Sequence, residues 1–398
     1  MFIRKVPEQG KVLKMIVLSH TSHLGGAELS MLELVKALSR NMNIYIIIPM
    51  RGPIVNSLDR YAKHIYTVPF FWWCAKRSKI IPYIMANFLN LVSFLLTLRV
   101  VLKVKPDICL TNTIASPPIL GVACKLLNIP HIWYIHEFGK EDHELYFIVG
   151  EKIGYNIVAR LSSAIFVNST SVAKKISKFI YWQKVPLFLM DYIVEMPSQI
   201  LTDKESNDKL SNYDAKIKIA HIATIKQGKG QEDLVLALSM LKEKVDFICY
   251  IIGSIEDKNY YRKLKQWVEK NRLIDSIIFT GYLSREKALQ VMKNSDIIVL
   301  CSRSEAFGRV IVEGMKLGKA VIATRSGGVT DIIKDGKNGL LYEPRNVEEL
   351  AQKIMLLAND RQLRENLGRN AQQYSFERFN KEKIVRKTFE IICQIASK

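Results

Sequence analysis

Short apolar runs alternate along most of this chain with longer stretches in which apolar positions recur every third or fourth residue. The first pattern belongs to strands buried on both faces, and the second to helices that present one apolar side. Strands are expected at 14–19, 43–48, 64–68, 107–111, 131–135 and 164–168, with helical patterns between them. From Met196 the composition turns polar, MPSQILTDKESNDKLSNYDAK, and the alternation resumes at 217–223, 246–252, 276–280, 296–301 and 320–324. Strand-helix alternation of this kind builds parallel sheets with crossover helices, so the pattern predicts an α/β fold in two domains joined by a polar linker. The expected boundaries are residues 1–195 for the first domain, 196–215 for the linker and 216–375 for the second domain. The tail, 376–398, reads as an amphipathic helix.

Composition agrees with two cores. At 398 residues with 48% hydrophobic content the chain can fill both. Six cysteines at 74, 109, 124, 249, 301 and 393 form no C-x-x-C pair and fall mostly in apolar segments, as reduced core residues do. The first residues, MFIRKVPEQGKVLK, lack the apolar core of a signal peptide. Both readings point to a cytoplasmic chain.

The formal charge is +20, and 23 lysines and arginines face 12 acidic residues in positions 1–200 alone. Nucleic acid would use such a surface, yet no zinc finger, RNP-type strand or Arg-rich arm is present, so no nucleic-acid partner is expected. An anionic membrane surface fits better. Residues 80–98, IIPYIMANFLNLVSFLLTL, contain no charge and are flanked by Lys76, Arg77 and Lys79 on one side and Arg99, Lys103 and Lys105 on the other. A spanning helix needs about 20 predominantly apolar residues, and this run carries Pro82, Asn87, Asn90, Ser93 and Thr97. It reads as a helix on the sheet with one face toward the inner leaflet of the plasma membrane, which would make the chain peripheral rather than spanning.

The densest chemistry lies in SRSEAFGRVIVEGMKLGKAVIATRSGGVTDIIKDGKNGLLYEP, which begins at Ser302. An apolar strand precedes it, and residues 309–317 have helical periodicity, so Glu305 falls in the intervening loop and Glu313 just over a turn into the helix. The amides of Ala306, Phe307 and Gly308 sit where a helix start offers unpaired donors to an anion, with Arg309 beside them, and Gly308 permits close approach. Carboxylates repel phosphate and accept from hydroxyls. Two of them around a phosphate-binding helix start describe a pocket for a nucleotide sugar, one carboxylate for the sugar and one for the ribose.

This segment resembles the E-x7-E signature of the retaining glycosyltransferases of family four, and the similarity continues through Gly327-Gly328, the turn at 331–336 and Asn338-Gly339-Leu340. The resemblance implies a GT-B fold, two Rossmann-like domains facing across a cleft, with the last helix crossing back to the first domain. It implies that Glu305 holds hydroxyls of the transferred sugar and Glu313 the ribose. Gly25-Gly26-Ala27-Glu28, after the first strand, is similar to the family's N-terminal glycine loop, and His136-Glu137 to its histidine near the reaction centre. Lys229-Gly230 is similar to the basic element that neutralises the donor diphosphate, although Ala223-Thr224 stands where the family has Gly-Arg. Phe279-Thr280-Gly281-Tyr282 matches the loop that holds the base, which makes Tyr282 the base-binding candidate.

The function implied is transfer of a sugar from a UDP- or GDP-linked donor to a lipid-linked or polysaccharide acceptor in cell-surface glycan synthesis, with no cofactor besides the donor. No D-x-D occurs, and His136 and His143 are seven apart rather than the four of H-E-x-x-H, so no metal is expected. An epimerase or hydrolase of nucleotide sugars could use the same fold without a sugar acceptor.

Overall fold

A computed structural model describes residues 12–76, 84, 86, 88–180, 184–202 and 216–397. The chain divides into two compact units. Residues 1–193 and 381–398 form the first, and 194–380 the second.

The first unit holds β1 (Leu13–Ser19), β2 (Met42–Ile48), β3 (His64–Thr67), β4 (Cys74–Ala75), β5 (Ile108–Asn112), β6 (His131–Ile135), β7 (Tyr146–Phe147), β8 (Ala164–Val167) and β9 (Leu187–Leu189). Seven of these make one sheet in the order β3-β2-β1-β5-β6-β8-β9, all parallel, while β4 and β7 pair antiparallel beside it. Val17 of β1 lies opposite Ile46 of β2 on one side and Leu110 of β5 on the other. These central strands are buried on both faces, so they are Ile-, Leu- and Val-rich without alternation. The final helix, Lys381–Ala396, packs its Ile384, Thr388, Ile391, Ile392 and Ile395 inward against helix Gly26–Leu38 and β5.

The second unit holds β10 (Ile217–Ile222), β11 (Phe247–Ile252), β12 (Ile277–Gly281), β13 (Ile297–Leu300), β14 (Ala320–Thr324) and β15 (Leu340–Tyr342), again all parallel, in the order β12-β11-β10-β13-β14-β15. Two parallel sheets with crossover helices make the α/β, two-Rossmann-like-domain architecture of the GT-B fold. Each sheet runs outward in both directions from its first strand. The order reverses between β1 and β5 in one unit and between β10 and β13 in the other. In open α/β sheets ligands sit outside the carboxyl ends of the strands at such a reversal, because the crossovers leave on opposite faces and open a crevice there.

Three expectations change in detail. The tail is not one helix from 376: residues 376–378 end the helix Arg361–Arg378, the chain breaks at Phe379 and Asn380, and a separate helix begins at Lys381. The unit boundary falls after Ile193, just before the expected linker, of which 203–215 lie outside the described residues. The uncharged run at 80–98 contributes to a helix at Asn90–Val104, which continues past Arg99 and Lys103; residues 77–83, 85 and 87 lie outside the described residues.

Candidate functional site

In the second unit the loops after β10 and β13 meet at the point where the strand order reverses. The loop 301–308 leads from β13 into helix Arg309–Lys316, with Gly308 as its N-cap in the left-handed region, φ +94°. Backbone and hydroxyl bonds hold this loop. Arg303 N donates to Gly228 O at 2.8 Å, Gly328 N to Glu305 O at 2.8 Å, Thr324 Oγ1 to Ser302 O at 2.5 Å and Ser326 Oγ to Arg303 O at 2.7 Å. Two glycines make the approach possible. A Cβ on Gly327 would lie 2.0 Å from Glu305 O, and one on Gly230 would lie 2.1 Å from Cys301 O, both far inside contact distance.

The side chains pair in a way the sequence does not announce. Lys229 Nζ lies 3.0 Å from Glu305 Oε2. Glu313 is buried and held by two cations on one oxygen: Arg309 Nε and Arg285 Nη2, each 3.2 Å from Oε1. Arg285 also donates to Glu195 O at 2.7 Å. Each carboxylate of the pair is therefore matched by positive charge, and the end of the sheet offers carboxylate acceptors beside cationic donors around one helix start. Of the cations that could stand in for the missing arginine, Lys226 pairs with Glu256 at 3.4 Å and Arg309 with Glu313. Arg303 bridges Glu232 and Asp233 on the neighbouring helix.

Ala306 and Phe307, expected as amide donors, have buried side chains, and Phe307 packs edge-on to Phe379 at 5.9 Å. Tyr282 lies on the loop after β12, is 76% exposed, and precedes a helix capped by Ser284. Phe279 packs edge-on against Tyr261 at 5.3 Å.

The first unit has its own polar cluster at the corresponding reversal. Gly25 caps helix Gly26–Leu38, and a Cβ there would lie 2.7 Å from Glu28 Oε2, so glycine lets that carboxylate fold back over the helix start. His20 Nδ1 is 3.2 Å from Glu28 Oε1 but is not aligned for a hydrogen bond. Burial pushes His20 down to about 3 and Glu28 up to about 7, so the imidazole is neutral and the contact is not an ion pair. The His20 ring also lies 5.0 Å from that of Trp72.

His136 is buried rather than open, and both its ring nitrogens are engaged. Nδ1 lies 2.6 Å from Tyr192 Oη and Nε2 lies 2.7 Å from Asn112 Oδ1. Asn168 Nδ2 donates to Tyr192 Oη at 2.8 Å, so the tyrosine accepts from Asn168 and donates to Nδ1, which leaves the proton on Nε2 for Asn112. Burial holds this imidazole down at about 3, a neutral ring. Any ligand bonded to His136 must displace Tyr192 or Asn112. Glu137 beside it accepts from Ile114 N at 2.6 Å and His136 N at 3.0 Å, and burial raises it to about 8.

Sequence reasoning selected Lys229, Glu305, Arg309 and Glu313, which the fold gathers at one end of one sheet. It missed Arg285, Asn112, Asn168 and Tyr192. The last two carried no motif signal, whereas Arg285 lies three residues after Tyr282, which the sequence had singled out. Among the described residues no group of three or more histidines, cysteines or acids is arranged to hold a metal ion.

Comparison with known proteins adds the family context. The model for glycosyltransferase family 4 matches residues 24–185, and that for glycosyl transferases group 1 matches residues 202–374. An uncharacterized glycosyltransferase of Methanocaldococcus jannaschii is 28% identical over 394 residues, covering 94% of this chain and 96% of its own length. A second uncharacterized glycosyltransferase of that organism is 40% identical over 165 residues, a match that spans 44% of its length and 41% of this chain. Among solved structures, that of Anabaena Alr3699/HepE in complex with UDP superposes with a TM-score of 0.78 at 20% identity, covering 96% of this chain and all of that one, which speaks for the fold.

Proposed function

This chain belongs to the GT-B glycosyltransferases, and we propose that it moves a sugar, with retention of anomeric configuration, from a nucleoside-diphosphate sugar to a hydroxyl of a lipid-linked or polysaccharide acceptor. One observation carries the reading: at the β10/β13 reversal, Glu305 and Glu313 flank a glycine-capped helix start and are each matched by a cation from another segment, Lys229 and Arg285. The likeness to a structure solved with UDP supports a nucleotide donor.

The chemistry of such a transfer is largely electrostatic. Negative charge grows on the leaving diphosphate, and the start of helix Arg309–Lys316 together with Lys229 supplies the stabilising field. Glu305 takes hydroxyls of the sugar and Glu313 the ribose, as hydrogen-bond acceptors and not as nucleophiles. Tyr282 takes the base, a role supported by its exposure on the loop after β12. Lys229 is a point charge where the family has a further arginine, so the site gives up bidentate recognition of phosphate. We also propose turnover without a metal, for which cations and helix amides serve; abolition of activity by EDTA with recovery on adding manganese or magnesium would refute that part.

The test is a panel of UDP-, GDP- and ADP-sugars screened by thermal shift, followed by turnover of the donor that binds. Nucleotide release should need a sugar acceptor, and proton NMR of the product should show the donor's anomeric configuration. Release at full rate without acceptor would favour a hydrolase. Conversion of the donor to another nucleotide sugar would favour an epimerase.

A further inference from the structure

Helix Asn90–Val104 is apolar on two sides. Its uncharged polar residues Asn90, Ser93 and Thr97 are buried: Asn90 Oδ1 accepts from Phe71 N at 2.8 Å and Nδ2 donates to Phe71 O at 2.9 Å, Ser93 Oγ donates to Pro69 O at 2.5 Å, and Thr97 Oγ1 to Ser93 O at 2.8 Å. Val101 and Val104 are buried and Phe94 and Leu98 pack against the core, but a second apolar side faces out. Phe88 and Leu91 are 78% and 68% exposed, and Val92, Leu95, Leu96 and Leu102 continue the stripe at helical spacing. Helix Ile119–Leu126 packs alongside and adds exposed Leu126. Scattered exposed leucines need no explanation, but a contiguous stripe on a helix whose uncharged polar groups have been turned inward does.

Charge identifies what covers it. Residues 60–106 contain no aspartate or glutamate and eight lysines and arginines. The next acid, Asp107, accepts from Lys14 N at 2.8 Å, and none follows before Glu137. Arg99 and Lys103 are exposed on the same helix as the leucines, and Lys125 beside Leu126. A second copy of this face would set these cations against one another with no acid to match them. An anionic lipid surface answers both the apolar stripe and the cations. At 15 residues the helix is about 22 Å long, too short to cross a hydrocarbon core of about 30 Å, and no helix among the described residues is long and apolar enough to cross.

We propose that this face is a membrane-docking surface: the helix lies in the plane of an anionic bilayer, its leucines and Phe88 entering the headgroup-acyl boundary while Arg99, Lys103 and Lys125 meet lipid phosphates. The inference stands on the first unit alone and is read without any transferase assay.

Sedimentation with vesicles of phosphatidylcholine, with and without phosphatidylglycerol, tests it. The wild-type protein should pellet with the anionic vesicles at low salt and be released at high salt. The variant Leu91→Gln/Leu95→Gln/Leu102→Gln changes only exposed side chains, so it should melt like the wild type and lose most of the binding. Arg99→Gln/Lys103→Gln should weaken binding roughly fivefold per cation removed. A solvent-sensitive fluorophore on Leu95→Cys should shift to the blue on anionic vesicles alone. Equal pelleting of the triple variant and the wild type, or no binding by the wild type, overturns the proposal. So does a concentration-dependent dimer that the triple variant abolishes, which would assign the face to a second copy.

Discussion

Glu305 and Glu313 are separable because each is tied to a different cation. Replacing Glu305 with alanine releases Lys229, its neighbour at 3.0 Å, so affinity for free nucleoside diphosphate should hold or rise while turnover falls. Glu313→Ala removes the acceptor proposed for the ribose, and nucleotide affinity should drop roughly tenfold or more, the scale of one lost charged hydrogen bond. Calorimetry with the nucleotide and a steady-state assay read the two effects; equal weakening of nucleotide by both variants would contradict the assignment. Glycine offers a second contrast. Gly327 has φ +60°, and a Cβ there would meet Glu305 O at 2.0 Å, whereas Gly336, at φ +73°, has open space around it. Gly336→Ala should lose only the left-handed penalty, roughly 1–2 kcal/mol. Gly327→Ala should lose about 3 kcal/mol or more and also impair turnover, because the loop that carries Glu305 must move. Urea titration of both variants checks the difference.

Among the elements, helix Asn90–Val104 depends on one side chain at its start. Asn90→Ala would leave Phe71 N and O without their partners, and the loss should be roughly 1–3 kcal/mol by chemical denaturation, more than for any exposed leucine of the same helix. Elements of this kind show what the sequence discloses. Strands β6 and β14 run over the residues expected of them, and the other long strands differ by a residue or two at their ends, because a buried parallel strand writes itself as an apolar run. The short strands left no such trace: β9 and β15 have three residues each, and β4 and β7 two, lengths at which a period cannot be read. The carboxylates of the candidate site were legible because they lie close together in one segment. Their cations were legible only in part. Lys229 sits 76 positions from Glu305 and resembles the family's basic element rather than announcing itself as that carboxylate's partner, and Arg285, although it follows the Tyr282 loop, lies 28 positions from Glu313. The burial of His136 was equally hidden, since it arises from Asn112, Asn168 and Tyr192 on separate strands and loops.

For the whole molecule, buried ionisable groups set a pH optimum. Burial lowers His20 and His136 to about 3 and His131 and His221 to about 4, from a value of 6.5. Groups lowered in this way contribute stability in full above 6.5 and lose it as the pH falls toward 4, because the unfolded chain takes up protons that the folded one refuses. Glu28 and Glu137, raised from 4.5 to about 7 and about 8, act in the opposite sense: their contribution is present below 4.5 and is lost as the pH rises through those values. The melting temperature should therefore peak near pH 6.5 and fall on both sides, and Glu137→Gln should flatten the alkaline limb. A melting temperature that keeps climbing to pH 9 would contradict this. The last helix, Lys381–Ala396, has a consequence of a different kind, in the order of synthesis. It belongs to the first unit but is made after all of the second. At about 5–20 residues per second the ribosome needs roughly 10 to 40 seconds to make the intervening chain. During that interval the nascent first unit presents the bare groove where Ile384, Ile391, Ile392 and Ile395 will seat, a natural place for a chaperone to hold the growing polypeptide.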